Sequence, residues 1–197
     1  LVACGTSYHA ALVGRIMIER LTGLPAGVSI ASEFRYSDLI VGPETLVIAV
    51  SQSGETADTV GAVKAARQRG APALSITNVV GSAIARESDG VLYTHAGPEI
   101  GVASSKTFTA TLTACYLLAL ALGRGRGYLT EVDGRKRIED LLEIPRLMET
   151  ALTLDDEAAA LARRLAGYEH MLYLGRGVHY PVALEGALKL KEISYIH

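Results

Sequence analysis

The stretch "TLVIAVSQSGETADTVGAVKAARQRG", Thr45 to Gly70, decides the fold. It opens on a continuous apolar run of strand length, Thr45 to Val50, apolar on both faces. From Thr56 the pattern becomes that of an amphipathic helix, stopped by Gly70. Between the two lies a polar knot, Ser51-Gln52-Ser53-Gly54-Glu55-Thr56. A strand buried on both faces and followed at once by a helix belongs to a parallel sheet covered on both sides.

The same pattern recurs on either side. Upstream, "LVA" leads through Cys4-Gly5-Thr6-Ser7 into the helical "HAALVGRIMIERLTG", and "GVSIAS" reads as a short strand. Downstream, "PALSIT" and "GVLYT" are strands, and "SSKTFTATLTACYLLALALG" is a long apolar helix. Five strands with crossover helices predict an α/β fold: a three-layer α/β/α doubly wound domain over residues 1–125, with flavodoxin-like strand order 2-1-3-4-5. Residues 126–168 carry mixed charge at helical spacing, with Pro145 a break, and read as a helical connector. Residues 169–197 repeat the opening: "MLYLGRGVHYPVAL" echoes "LVACGTSYHAAL", so a strand at His170–Gly177 and a helix after it are expected to open a second, truncated unit. We expect both ends to be cut from a longer chain.

The formal net charge of −2 provides no basic surface for nucleic acid or an anionic membrane. The apolar stretch Ala114 to Leu122 is too short to span a bilayer. Cys4 and Cys115 form no disulfide framework, so a reducing, cytoplasmic setting is expected. His9, His95, His170 and His179 have no metal-ligand spacing and read as structural or exposed side chains.

In a doubly wound sheet the strand-to-helix loops gather at one edge, and ligands bind where the strand order reverses. Here that places Cys4 to Ser7 beside Ser51 to Thr56. A helix N-terminus offers unpaired N–H groups and a partial positive charge, so an anion can be held without a cationic side chain. Ser51, Ser53 and Thr56 add hydroxyls, and Gly54 lets the backbone approach. This suits a phosphate monoester; the lysine of a nucleotide triphosphate loop is missing. A bare helix cap built on Ser53 is the competing reading. Ser104, Ser105 and Thr107 form a third hydroxyl-rich turn. On the last helix Glu185, Lys189 and Glu192 make an i, i+4, i+7 polar stripe, which is either a surface ion-pair face or a general base with a cation beside it.

With these residues in view, the chain resembles the isomerase domain of the glutamine–fructose-6-phosphate aminotransferases (isomerizing), the glucosamine-6-phosphate synthases, within the wider sugar-isomerase (SIS) superfamily. "ACGTSY", "ASEFRY", "SQSGETADT", "RESD", "EIGVASSKTFT", "LGRG" and "ALEGALKLKEISYIH" carry the resemblance, in family order. "SQSGET" alone points only to the superfamily; "EIGVAS" and "ALEGALKLKEISYIH" are more specific. The resemblance implies that Ser7, Ser51, Gln52, Ser53 and Thr56 hold the phosphate of fructose 6-phosphate. It implies that Thr6, Val102 and Ser104 line the sugar site. Glu192 would move a proton between C1 and C2, and Lys189 would contact the sugar. It implies no cofactor, a glutaminase domain elsewhere in the parent chain, a homodimer, and a role in UDP-GlcNAc biosynthesis. The family's ring-opening histidine and imine-forming lysine would lie beyond His197, so this stretch is expected to bind without completing turnover. A non-catalytic phosphosugar sensor of the same fold, or a different phosphosugar isomerase, are the alternatives.

Overall fold

The apolar run at Thr45–Val50 forms a strand at Val47–Ser51 (β3), all five residues of which are buried. The computed structural model describes every residue from Leu1 to His197. β3 pairs in parallel with Val2–Ala3 (β1) on one side and Ala73–Thr77 (β4) on the other. Ser29–Ile30 (β2) and Gly90–Tyr93 (β5) are the edges, giving the expected order β2-β1-β3-β4-β5.

Strand alternation sends side chains to two cores. Ala3, Ile48, Val50 and Ile76 face a layer built from helices Gly5–Thr22 (α1) and Lys106–Gly125 (α5). Val2, Val47, Ala49 and Ala73 face the opposite layer, which contains Ala57–Gln68 (α3) and the short helices Ala31–Tyr36 (α2) and Ala83–Glu87 (α4). α1 and α5 approach closely: a Cβ on Gly14 would lie 3.0 Å from Cys115 Sγ. α5 is longer than the apolar run within it. By length and composition it could cross a membrane, but here it gives Ala114, Cys115, Ala119 and Leu120 to the core.

The connector folds as three helices, Glu131–Leu142 (α6), Ile144–Leu152 (α7) and Asp155–Leu165 (α8). Pro145 occupies the first turn of α7, where its missing N–H costs nothing, and there it starts a new helix. α7 and α8 bury no residue. The strand expected at His170–Gly177 does not form: these residues join no ladder. A strand needs a neighbour that pairs its backbone groups along its length, and here only Met171 N–H finds such a partner, at His197 O. The helix of that unit, His179–Ser194 (α9), does form and packs back onto α1.

The two cysteines have opposite surroundings. Burial pushes the Cys115 thiol up to about 12, whereas Cys4 is half-buried at the edge of a cavity. We predict that at about pH 8 a disulfide reagent titrates Cys4 in the folded protein and reaches Cys115 only on denaturation. Equal reaction rates at the two positions would contradict this packing.

Candidate functional site

The loops after β1 and β3 and the turn before α5 meet at the carboxyl edge of the sheet. They enclose a cavity of 260 Å³. Its wall includes Thr6, Ser7, Ser51, Gln52, Ser53, Thr56, Val102 and Ser104, so all eight residues expected to bind ligand share one space.

The Ser51–Thr56 loop is shaped by its own hydrogen bonds. Gly54 N–H donates to Ser51 Oγ at 3.1 Å, and Glu55 N–H donates to Ser53 Oγ at 3.2 Å. Ser51 Oγ and Thr56 Oγ1 stand 3.3 Å apart. Thr56, not Ser53, is the N-cap residue of α3, and its side chain makes no capping bond. The loop is therefore more than a helix cap. Gly54 sits at φ +67°, and any side chain there would collide with Ser82 and Thr77. The outer side of the loop is clamped: Ile84 N–H donates to Gly54 O, and Glu55 Oε1 accepts from Ala83 N–H. Thr56 and Thr59 bring the first turn of α3 to the cavity wall, where a helix offers unpaired N–H groups. Thr59, 1 % exposed and also on the cavity wall, has a hydroxyl with no protein partner. A buried orphan hydroxyl beside a polar cavity marks a place where a bound group would complete the hydrogen bonding.

The turn before α5 adds to the cavity wall the acidic residue that opens "EIGVAS", for which the sequence pattern alone indicates no role. Glu99 Oε1 accepts from Ser105 N–H at 2.8 Å and Thr107 N–H at 3.4 Å, capping α5. Its Oε2 accepts from Ser104 Oγ at 3.0 Å and from Thr107 Oγ1. Burial alone would raise this carboxyl, but the bonds from Thr107, Ser105 and Ser104 outweigh it and hold the group at about 2, below the ordinary 4.5.

Lys189 and Glu192 do not line the cavity but connect to it. Lys189 Nζ donates to Thr6 Oγ1 at 3.0 Å and to Glu192 Oε2 at 2.6 Å. Glu185 stands behind them, 6 % exposed. It accepts from Thr6 Oγ1 at 3.0 Å, contacts His9 Nδ1 at 2.7 Å and lies 3.4 Å from Lys189 Nζ. The His9 contact requires a proton on Nδ1. Burial would raise the Glu185 carboxyl; the bonds from His9 and Thr6 and the charge of Lys189 turn the net shift downward. The stripe read on α9 is thus no solvated ion-pair face: it lies against α1 at the cavity's edge. His9 is a structural side chain, as expected, and nothing local in the sequence marks its partner, which lies 176 residues away.

A family model described as "SIS domain" matches residues 1–121. The glutamine–fructose-6-phosphate aminotransferase (isomerizing) of Clostridium tetani is 51% identical over all 197 residues, which span 32% of that protein. Thus the chain covers about a third of the length of the curated relatives it matches. Among solved structures, the C-terminal domain of the Francisella tularensis glucosamine-fructose-6-phosphate aminotransferase is 44% identical. It superposes with a TM-score of 0.97, covering 100% of this chain and 56% of that one. A glucosamine-6-phosphate deaminase from Thermotoga maritima is 26% identical with a TM-score of 0.77, covering 99% of this chain and 57% of that one.

The low value of Glu99 has a signed consequence. Its ionised form stabilises the fold, fully above about pH 4.5, and that contribution is lost as pH falls through about 2. We predict a carboxyl NMR titration midpoint for Glu99 near 2, and a flatter loss of stability over that window in Glu99→Gln. A midpoint at the ordinary 4.5 would show that the Ser104–Thr107 turn does not hold the carboxylate.

Proposed function

This chain belongs to the SIS domain family, and from that premise we propose that it is the sugar-phosphate-binding isomerase part of a glutamine–fructose-6-phosphate aminotransferase. The observation that carries the reading is the polar cavity at the switch point, lined by the eight hydroxyl-rich loop residues and joined through Thr6 to Lys189 and Glu192. The phosphate of fructose 6-phosphate sits in the Ser51–Thr56 loop, on the α3 N-terminus, with Ser7 and Gln52 beside it. The sugar extends toward Thr6, Val102 and Ser104.

Glu192 acts on the imine formed when ammonia from glutamine condenses at C2. It removes a proton from C1 as the C1–H electron pair forms a C1=C2 bond and the C=N pair moves onto nitrogen, which takes up a proton. The C1 hydroxyl then gives up its proton as the carbonyl forms and the carboxyl returns the first proton to C2, leaving an aldehyde at C1 and an amine at C2. Lys189 orients the carboxylate and the substrate through its bonds to Glu192 and Thr6. The ammonia comes from a glutaminase domain of the longer protein, which works as a cytoplasmic homodimer in amino-sugar synthesis. Residues 169–197 are the opening of a second sugar-isomerase unit, following a first unit over 1–125 and a connector over 126–168.

A phosphosugar sensor would need the cradle alone. Lys189 held at 2.6 Å from Glu192 and tied to the cavity argues for chemistry instead. A different phosphosugar enzyme of this fold keeps some support from the Thermotoga maritima deaminase likeness.

Two measurements test the proposal. Titrating fructose 6-phosphate into the 197-residue chain should shift the amide signals of Ser51 to Thr56 first; unmoved signals at about millimolar ligand, a weak-binding limit, would defeat the cradle assignment. In the full-length enzyme, Glu192→Gln should lower amino-sugar formation by at least about 10²-fold while glutamine hydrolysis continues. Unchanged glucosamine 6-phosphate production would remove Glu192 from the role of base.

A further inference from the structure

The hydroxyls around the cavity are not equivalent. A hydroxyl has one proton to give and two lone pairs to offer. Thr6 gives its proton to Glu185 Oε1 and accepts from Lys189 Nζ, so only a lone pair remains for the cavity. Ser104 Oγ and Thr107 Oγ1 stand 2.6 Å apart, and both contact Glu99 Oε2. Either both protons go to the carboxylate, or one does and the other goes to the neighbouring hydroxyl. In both arrangements neither proton is left for a ligand. Around the Ser51–Thr56 loop the balance is reversed. Ser53 Oγ accepts from Glu55 N–H and keeps its own proton, Thr59 has no protein partner, and Thr56 and Thr59 place the first turn of α3, with the unpaired N–H groups of a helix start, on the cavity wall.

We propose that Glu99 and Glu185 are specificity-determining residues of this cavity. By taking the protons of Ser104, Thr107 and Thr6, they turn that wall into an acceptor surface. The end of a ligand lying there has to donate, as a hydroxyl or amine does, while a second anionic group is turned away. The cavity is thus polarised: donors grip a phosphate at one end, and acceptors read hydroxyls at the other. Among sugar phosphates it takes those whose far end donates, and phosphates of sugar acids are excluded. This inference rests on the cradle reading above.

The test compares a minimal pair of ligands on the 197-residue chain by calorimetry. D-Glucitol 6-phosphate ends in CH2OH; 6-phosphogluconate has a carboxylate at the same carbon. Inorganic phosphate, followed by the amide shifts of Ser51 to Thr56, reports on the cradle alone. The polyol phosphate should bind about 10- to 100-fold more tightly than the acid. Glu99→Gln and Glu185→Gln should each cut that ratio to within about threefold while still binding inorganic phosphate. Glu139→Gln, the same charge change on exposed α6, should leave the ratio intact. Equal affinities in the parent chain, or an equal collapse in Glu139→Gln, would overturn the inference and leave the cradle standing. Failure of inorganic phosphate to move the loop would overturn the cradle reading, and this inference with it.

Discussion

One carboxylate ties the last helix to the rest of the molecule. Glu185 is the only charged residue among the buried ones. α9 otherwise buries only Pro181, so apolar packing does little to hold it. An isolated buried carboxylate would cost several kcal/mol. Here His9, Thr6 and Lys189 surround it, and two of them come from the first turns of α1. Removing one partner of such a buried pair costs roughly 3–5 kcal/mol, because the other is stranded. The cluster therefore locks α9 in one register against α1. That register carries Lys189 and Glu192, about one and two turns further along the helix, to the cavity edge.

The cavity itself answers a problem of charge. The chain has little net charge and places no lysine or arginine on the cavity wall. It has backbone instead. Gly54 turns the chain so that the α3 N-terminus faces the cavity, and α4 grips the loop from behind through Ala83 and Ile84. Oriented N–H groups fixed by the fold lose little entropy when an anion arrives, and a flexible lysine would lose more. Ser51 is 3 % exposed and accepts from Gly54 N–H, so its larger part is to hold the loop's shape.

Much of this was legible in the sequence because it is local. β3, β4 and α3 are contiguous runs whose period announces them, and the hydroxyl-rich turns sit at fixed offsets after their strands. The reversal of strand order then brings those turns together without any need to see side chains. What was hidden is long-range. Glu185 reads on α9 as one of three charges on a stripe, and only the return of the chain to α1 makes it buried. Glu99 sits inside a quoted motif, but its capping of α5 depends on a loop conformation with no regular period. The strand echo at His170–Gly177 was legible yet misleading in this chain: the apolar pattern is present, but a single backbone bond, from Met171 to His197, makes no ladder. α2 and α4 were missed because five or six residues carry too little periodicity to register.

Thr6 is where the two halves of the site meet. It opens α1 directly after the switch-point strand, so the sheet fixes its position, yet its hydroxyl belongs to the α9 cluster. A movement of α9 must break the Thr6–Glu185 and Lys189–Thr6 bonds together, and it would then expose a buried carboxylate. Small displacements are therefore disfavoured, and the cluster favours one docked arrangement over a continuum. The Ser51–Thr56 loop, by contrast, is held by β3, α3 and α4 and shares no hydrogen bond with α9. In the proposed function Ser7 of α1 lies beside the phosphate and its neighbour Thr6 holds Lys189, so a ligand that occupies both ends would act on the loop and on α9 through adjacent residues of one helix start.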